Sequence, residues 1–359
     1  MLLAAVLSFL GLSIISLLSG APEAGEMASG AIVLWLLAFF LISFAIAIIS
    51  NIAGIGGGII FVPIMMAYTQ VDSMVIRSTG MIVAMFSGLI SSGLLMKKGL
   101  GHFKMSMVLT ISQGIGALIG AKSAVMTATA LGESGEGAIR VALGVILVIV
   151  AIYLLLSSNR SEWPNITNID SITKWMKLEH SYYEESEKRI RTYRIRRMPL
   201  GFTLVFIIGL IGGFFGLGAG WALSPIQNLV MGVPLKAAAA NSGIILGMVN
   251  CVAVWPYILV GGIIPLFVLP WLSGQVAGGY LGSLALVRVK VSVVRILLIG
   301  IMVFTSFSLI TGGFIRLRWM ESLSSEISIV IFTCIMVIDL LFIIRKSVKG
   351  KDRNERSNH

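Results

Sequence analysis

Residues 51–63 read NIAGIGGGIIFVP, and residues 216–225 read GLGAGWALSP. Laid 162 positions apart, the two stretches superimpose: Gly54, Gly56, Gly58 and Pro63 recur as Gly216, Gly218, Gly220 and Pro225. The register runs without a gap from about residue 54 to residue 124. It carries Val71 to Val233, Gly99 to Gly261, Gln113 to Gln275, Gly116 to Gly278 and Gly120 to Gly282. A duplicated apolar unit, broken by glycine at corresponding places, points to a transporter with internal pseudo-symmetry and a working site between its halves.

Composition agrees. Apolar residues make up 57% of the chain and charged residues 12%, about half the charged share of a soluble domain. Several uncharged stretches approach or exceed the roughly 18 residues that mark a spanning helix. The expected fold is therefore an all-α polytopic membrane protein made of two fused halves. The net charge of +11 marks loops held on the cytoplasmic side rather than a nucleic-acid partner. Cys251 and Cys334 both lie in apolar runs and suggest neither a disulfide framework nor a metal site.

Apolar segments fall at 2–19, 31–50, 55–68, 74–96, 103–125, 138–157, 200–215, 219–232, 237–260, 263–286, 291–311 and 326–344. Those at 55–68 and 219–232 are too short to cross a bilayer. Each follows a glycine-rich break and holds a proline, so each reads as a re-entrant half-helix paired with the helix before it. The chain then divides into an N-terminal helix and external linker (1–30), a first transmembrane repeat (31–157), and a basic cytoplasmic loop (158–198). A second repeat (199–312), a C-terminal transmembrane helix (313–345) and a cytoplasmic tail (346–359) follow.

With the C-terminus in the cytoplasm, 22 of the 27 Lys and Arg residues fall inside, as the charge rule for cell-membrane proteins requires. Arg77, Lys122, Arg140, Arg316 and Arg318 fall outside. Three crossings separate the two breaks, which makes the repeats inverted in topology. The run 2–19 lacks the basic start of a signal peptide and reads as a retained helix. Within 158–198, Ile169, Ile172, Trp175, Leu178 and Tyr182 recur at helical spacing. They suggest an amphipathic helix on anionic lipid headgroups, which the basic C-terminal tail would also meet.

The chemistry is concentrated in the breaks. Gly56, Gly57 and Gly58 cost a helix about 1 kcal/mol each against alanine, so the helix unwinds and restarts. A helix start leaves N–H groups free and a partial positive charge, which favours an anion. Gln113 and Gln275 each lie about ten residues into an apolar helix. Such an amide must face protein, water or substrate. They read either as matched donors to one ligand or as interhelical glue. Ser78 and Thr79, with Asn241 and Ser242 in the second half, are further donors. The spacing of Gly116 with Gly120, and of Gly278 with Gly282, suits close helix packing. No catalytic triad, paired carboxylates or metal-ligand cluster is legible in the apolar core, so neither an enzyme nor a cofactor is expected.

The motif from Gly54 to Pro63, repeated more loosely from Gly216 to Pro225, resembles the sulfite exporter TauE/SafE family, also called the 4-toluene sulfonate uptake permease family. The resemblance covers both repeats, roughly 31–157 and 200–311. It implies a multi-pass transporter of sulfur-containing anions whose breaks line the substrate route. The candidate substrate-binding set is Gly54, Gly56, Gly57, Gly58, Pro63, Ser78, Thr79, Gln113, Gly216, Gly218, Gly220, Pro225, Asn241, Ser242 and Gln275. The expected function is export of a small oxyanion by alternating access. An anion channel on the same architecture and a non-transporting membrane scaffold are the alternatives.

Overall fold

A computed structural model describes residues 29–53, 56–69, 71–97, 99–156, 171–176, 178–184, 189–286 and 291–319. The run 2–19, Gly54, residues 158–170, and the segment 326–344 with Cys334 lie outside the described residues.

The helices are α1 (Ser29–Ala53), α2 (Gly58–Tyr68), α3 (Ser73–Lys97), α4 (Phe103–Leu156) and α5 (Ser171–Met176). After a hairpin of β1 (Glu179–Glu184) and β2 (Arg189–Arg194) come α6 (Met198–Phe215), α7 (Gly220–Pro225) and a π turn (Ile226–Val230). Then follow α8 (Leu235–Ala253), α9 (Trp255–Leu259), α10 (Pro265–Leu286) and α11 (Val291–Arg316). Six stretches among the described residues are long and apolar enough to cross a membrane: Ile32–Asn51, Ser73–Lys97, Phe103–Gly132, Ser134–Ile152, Met198–Phe215 and Lys236–Leu259.

The duplication reappears in the element boundaries. Shifted by 162, α2 covers residues 220–230, the span of α7 with its π turn. Shifted likewise, α3 covers 235–259, the span of α8 and α9. Glycine and proline set these limits: Gly56 and Gly218 both take positive φ, at 79° and 65°, where a side chain is strained.

The contacts are duplicated too. A methyl group on Gly278 would sit 2.3 Å from the Phe44 carbonyl oxygen, and one on Gly116 would sit 2.2 Å from that of Phe206. Residues 278 and 206 are the shifted counterparts of 116 and 44. Gly282 against Ile48 and Gly120 against Leu210 repeat the relation. Each half thus lends a helix to the other, α10 packing on α1 and α4 on α6. The four glycines let backbones approach, as their spacing suggested.

Helices α3 and α8 cross at small residues. A methyl group on Gly88 would sit 2.6 Å from the Gly243 carbonyl oxygen, and one on Gly247 would sit 2.5 Å from Leu89 Cδ2. Cys251 Sγ lies 3.3 Å from Met85 Sδ, the shifted counterpart of the Leu89–Gly247 contact. Positions rise along α3 as they fall along α8, so the two equivalent helices run antiparallel where they touch. The contacts between the two helices are thus reciprocal under the 162-residue shift.

Among the described residues, those within 29–130 and 171–291 form one compact unit, and those within 131–156 and 292–319 form another. In the latter, Gly144 packs on Ser306, its own shifted counterpart, and Gly137 on Gly313. Glu136 bridges Arg140 at 3.0 Å and Arg316 at 2.8 Å. Residues 103–156 form a helix interrupted at Gly132 (φ 52°, ψ −133°).

The described chain is mostly helical, as expected, with one two-stranded hairpin added. One expectation needs correction: over its described residues, the stripe that ends at Tyr182 is not one helix. Helix α5 ends at Met176, Tyr182 lies in β1 and Leu178 just before it. A spacing of four fits a strand as well as a helix, since positions 178, 180 and 182 share one face of an extended chain. Leu178, Tyr182, Tyr193 and Ile195 are buried in the core with Met105, Met198 and Met231. Glu179 faces Arg194 across the strands at 3.2 Å. Ile172 and Trp175 remain exposed.

Candidate functional site

The two breaks meet. A methyl group on Gly58 would sit 2.4 Å from the Leu217 carbonyl oxygen and 3.1 Å from the Ala84 methyl. Leu246 touches both breaks: its Cδ1 and Cδ2 each lie 3.1 Å from where side chains on Gly56 and Gly218 would begin. Gly56 and Gly218 are repeat counterparts, and so are Ala84 and Leu246. The four residues therefore form two counterpart pairs where the breaks meet.

Helix α2 starts at this meeting point, with Gly57 as its N-cap and no side chain capping it. The second break likewise restarts after Ala219 without a side-chain cap. Phe61 anchors α2 edge-on against Trp271 of α10, with ring centres 4.6 Å apart. Pro63 is buried within α2, and Pro225 ends α7 where the π turn begins. Gly220, the first residue of α7, is buried.

Gln275 of α10 is fully buried and lies on the first break. Its Oε1 would stand 2.7 Å from a methyl group on Gly57. Its Nε2 makes a long 3.4 Å bond to the Ser43 carbonyl, and Oε1 has no partner. Gln113 is equally buried, its backbone carbonyl and Cγ packed on Gly209 of α6, and its Oε1 also lacks a partner. Each glutamine thus keeps an unused polar atom in the interior.

The other candidates are spread around this meeting point. Ser78 donates to the Val75 and Gly262 carbonyls, and Thr79 donates to the Val75 carbonyl at 2.6 Å. Ser242 donates to the Ala238 carbonyl and meets Ser224 Oγ at 3.0 Å and Gln227 Nε2 at 3.2 Å. Gly216, at φ 70°, lies against the backbone of Arg77, where a methyl group would come within 2.6 Å. Beside the breaks, Asn51, Gly56, Ser87, Gly88, Ser91, Leu95, Ala239, Gly243 and Leu246 enclose a cavity of about 20 Å³. That is room for about one water molecule.

Asn241 belongs to a separate cluster under the hairpin. Its Oδ1 accepts the His102 backbone N–H at 2.6 Å. The His102 ring accepts the Met105 N–H at Nδ1 and has no partner at Nε2. His180 lies against that ring, and Tyr193 lies against His180. Burial pushes the pKa of His102 down from 6.5 to about 4, with the charges of His180 and Lys104 adding to the effect and its own backbone hydrogen bond opposing it. Burial pushes the Tyr193 phenol up, opposed by the Asn241 amide beside it.

Because its folded pKa is depressed, His102 stays neutral in the native state while the unfolded chain takes up a proton between about pH 6.5 and pH 4. Stability should therefore fall as pH drops through that window, by up to about 3 kcal/mol from this group. Melting temperatures of the detergent-solubilised protein at pH 7.5 and 4.5 will differ more for the wild type than for His102→Gln. An equal difference in both would remove His102 as the cause.

Sequence reading missed Arg77. Counted there as an external charge, it lies inside α3 and is fully buried. Its place within the apolar run 74–96 was the available signal. Gly54 lies outside the described residues. Among the described residues, no group of three or more His, Cys, Asp or Glu is placed to hold a metal.

Spanning-length apolar helices wrapped around two matched breaks are the build of a multi-pass membrane transporter. The family model "Sulfite exporter TauE/SafE" matches residues 39–309, which contain both breaks and both interlocked helix pairs. The chain belongs to the TauE/SafE family. It is 24% identical to the probable membrane transporter protein YunE of Bacillus subtilis (strain 168) over 242 residues, 66% of this chain and 82% of that protein. No solved structure matches the chain.

Proposed function

We propose that this chain exports a small sulfur-containing oxyanion, such as sulfite or a sulfonate, across the cell membrane by alternating access. The observation that carries the reading is the meeting of two uncapped helix starts at Gly58, Leu217 and the shared Leu246. Each start presents free N–H groups and the positive end of a helix dipole, so an anion is held largely by backbone. Gln275 and Gln113 supply amide groups to the same ligand, one from each half.

Alternation follows from the repeats. The antiparallel crossing of α3 and α8, with its reciprocal contacts, supports an inverted arrangement about an axis in the membrane plane. Helices α2 and α7 then enter from opposite faces, and rocking about the α3–α8 crossing exposes the breaks to one side at a time. The C-terminus and residues 158–198 lie in the cytoplasm, where their basic residues meet anionic headgroups. The chemistry is carriage rather than catalysis.

Moving one negative charge out of a cell gains about 2.3 kcal/mol per 100 mV of membrane potential. Export therefore needs no coupling carboxylate. The test is flux in proteoliposomes with an imposed potential, offering sulfite, methanesulfonate, sulfate and acetate. Saturable, potential-driven movement of sulfite or methanesulfonate, with acetate slower, is the expected result. Absence of any anion flux from folded protein would end the proposal.

A further inference from the structure

Among the described residues, Arg77 is the most deeply buried cation. It is fully buried; Nε, Nη1 and Nη2 make no close hydrogen bond to a described group, and the polar side chain that interacts with them is the neutral Tyr257 hydroxyl. A guanidinium cannot shed its proton, so it carries its charge there. Among the described residues, the buried polar and charged side chains include no Asp or Glu. An uncompensated buried cation is among the costliest groups a protein can keep. Tyr257 stands beside it, its hydroxyl oxygen the acceptor that meets the guanidinium while its proton goes to the Gly213 and Phe214 carbonyls at 2.9 and 3.1 Å; a neutral phenol leaves the charge itself unpaired.

The pseudo-symmetry sharpens the point. The repeat counterparts of Arg77 and Tyr257 are Ala239 and Leu95, and both of these line the 20 Å³ cavity. Where one half leaves polar space, the equivalent place in the other half is filled by a guanidinium and a phenol. The backbone of Arg77 also presses on Gly216, the opening residue of the second break. The charge thus stands at one end of the route and has no counterpart at the other.

We propose that Arg77 is the anion-pairing residue of the transport route. An oxyanion arriving at the second break takes two of its N–H donors through two oxygens, a pairing that suits sulfite, sulfonates and related groups. Tyr257 holds the guanidinium in place from the side. The proposal rests on the transport reading above and adds to it a charged residue on one side of the meeting breaks.

The test is the half-saturation concentration for sulfite in proteoliposomes, with melting temperature measured in parallel. Arg77→Gln should raise half-saturation at least tenfold in folded protein. Arg77→Lys should also raise it severalfold, because one ammonium cannot make two parallel bonds. Unchanged half-saturation in Arg77→Gln, with melting temperature alone altered, would overturn the proposal and leave Arg77 a structural residue of the α3 interior. Should Arg77→Gln not fold, wild-type half-saturation in Arg77→Lys would overturn it equally. A wild type that moves no anion would fail the transport reading itself; a wild type that transports beside an indifferent Arg77→Gln fails the arginine assignment alone.

Discussion

Gly58→Ala will abolish transport while leaving a folded protein. The added methyl would sit 2.4 Å from the Leu217 carbonyl oxygen and 3.1 Å from the Ala84 methyl. The obstacle is backbone of the other break, so no side-chain rotation relieves it. The breaks must separate, at an overpacking cost of about 1–3 kcal/mol. The anion seat is defined by their meeting, so flux should fall at least a hundredfold. Gly93→Ala is the control: it is exposed in α3 with nothing within 4 Å of the new methyl. Alanine there should be neutral or stabilising by up to about 1 kcal/mol. Sulfite flux and melting temperature of both variants decide the matter. Normal flux in Gly58→Ala would mean the contact between the breaks is dispensable.

Gln275→Leu will weaken substrate binding by about 1.5–3 kcal/mol, the range for hydrogen bonds to a charged partner. Leucine roughly keeps the volume and removes the amide. Folding loses little, because the bond to Ser43 is long at 3.4 Å and an unsatisfied Oε1 disappears with it. Gln113→Leu should act in the same direction but less strongly. Gln275 touches Gly57 of the first break, whereas Gln113 packs on Gly209 in the middle of α6. Binding constants from sulfite-induced thermal shifts, read beside the apo melting temperatures, separate the outcomes. Early melting with normal binding would make both residues interhelical glue.

The periodic part of the fold was legible in residues 51–63 and 216–225, because glycine and proline act locally. Clustered glycines with a following proline end and restart a helix, so the limits of α2 and α7 follow from the letters. Partnership was less legible. The spacing of Gly116 with Gly120 announces a close neighbour but not that α6 supplies it. Leu178 and Tyr182 misled because four is a multiple of two, and the aromatic, alternating 179–184 run suits a strand. Arg77 escaped because a charge near the end of an apolar segment is ordinarily assigned to a loop. Its burial depends on Gly216, far along the chain. Contacts of this range leave no local trace in a single sequence.

The interlocking of the halves also bears on how the chain is made. The hydroxyl of Ser43 in α1 donates to the Trp271 carbonyl, 228 residues later. At a synthesis rate of about 5–20 residues per second, roughly 10–50 s separate the emergence of these partners. Through that interval α1 sits in the bilayer with its future contact face against lipid or another helix. The long wait between distant partners slows assembly and leaves time for false pairing. The contact faces of α1 and α4, each waiting for a helix synthesised later in the other half, are where biogenesis of this transporter is most exposed to error.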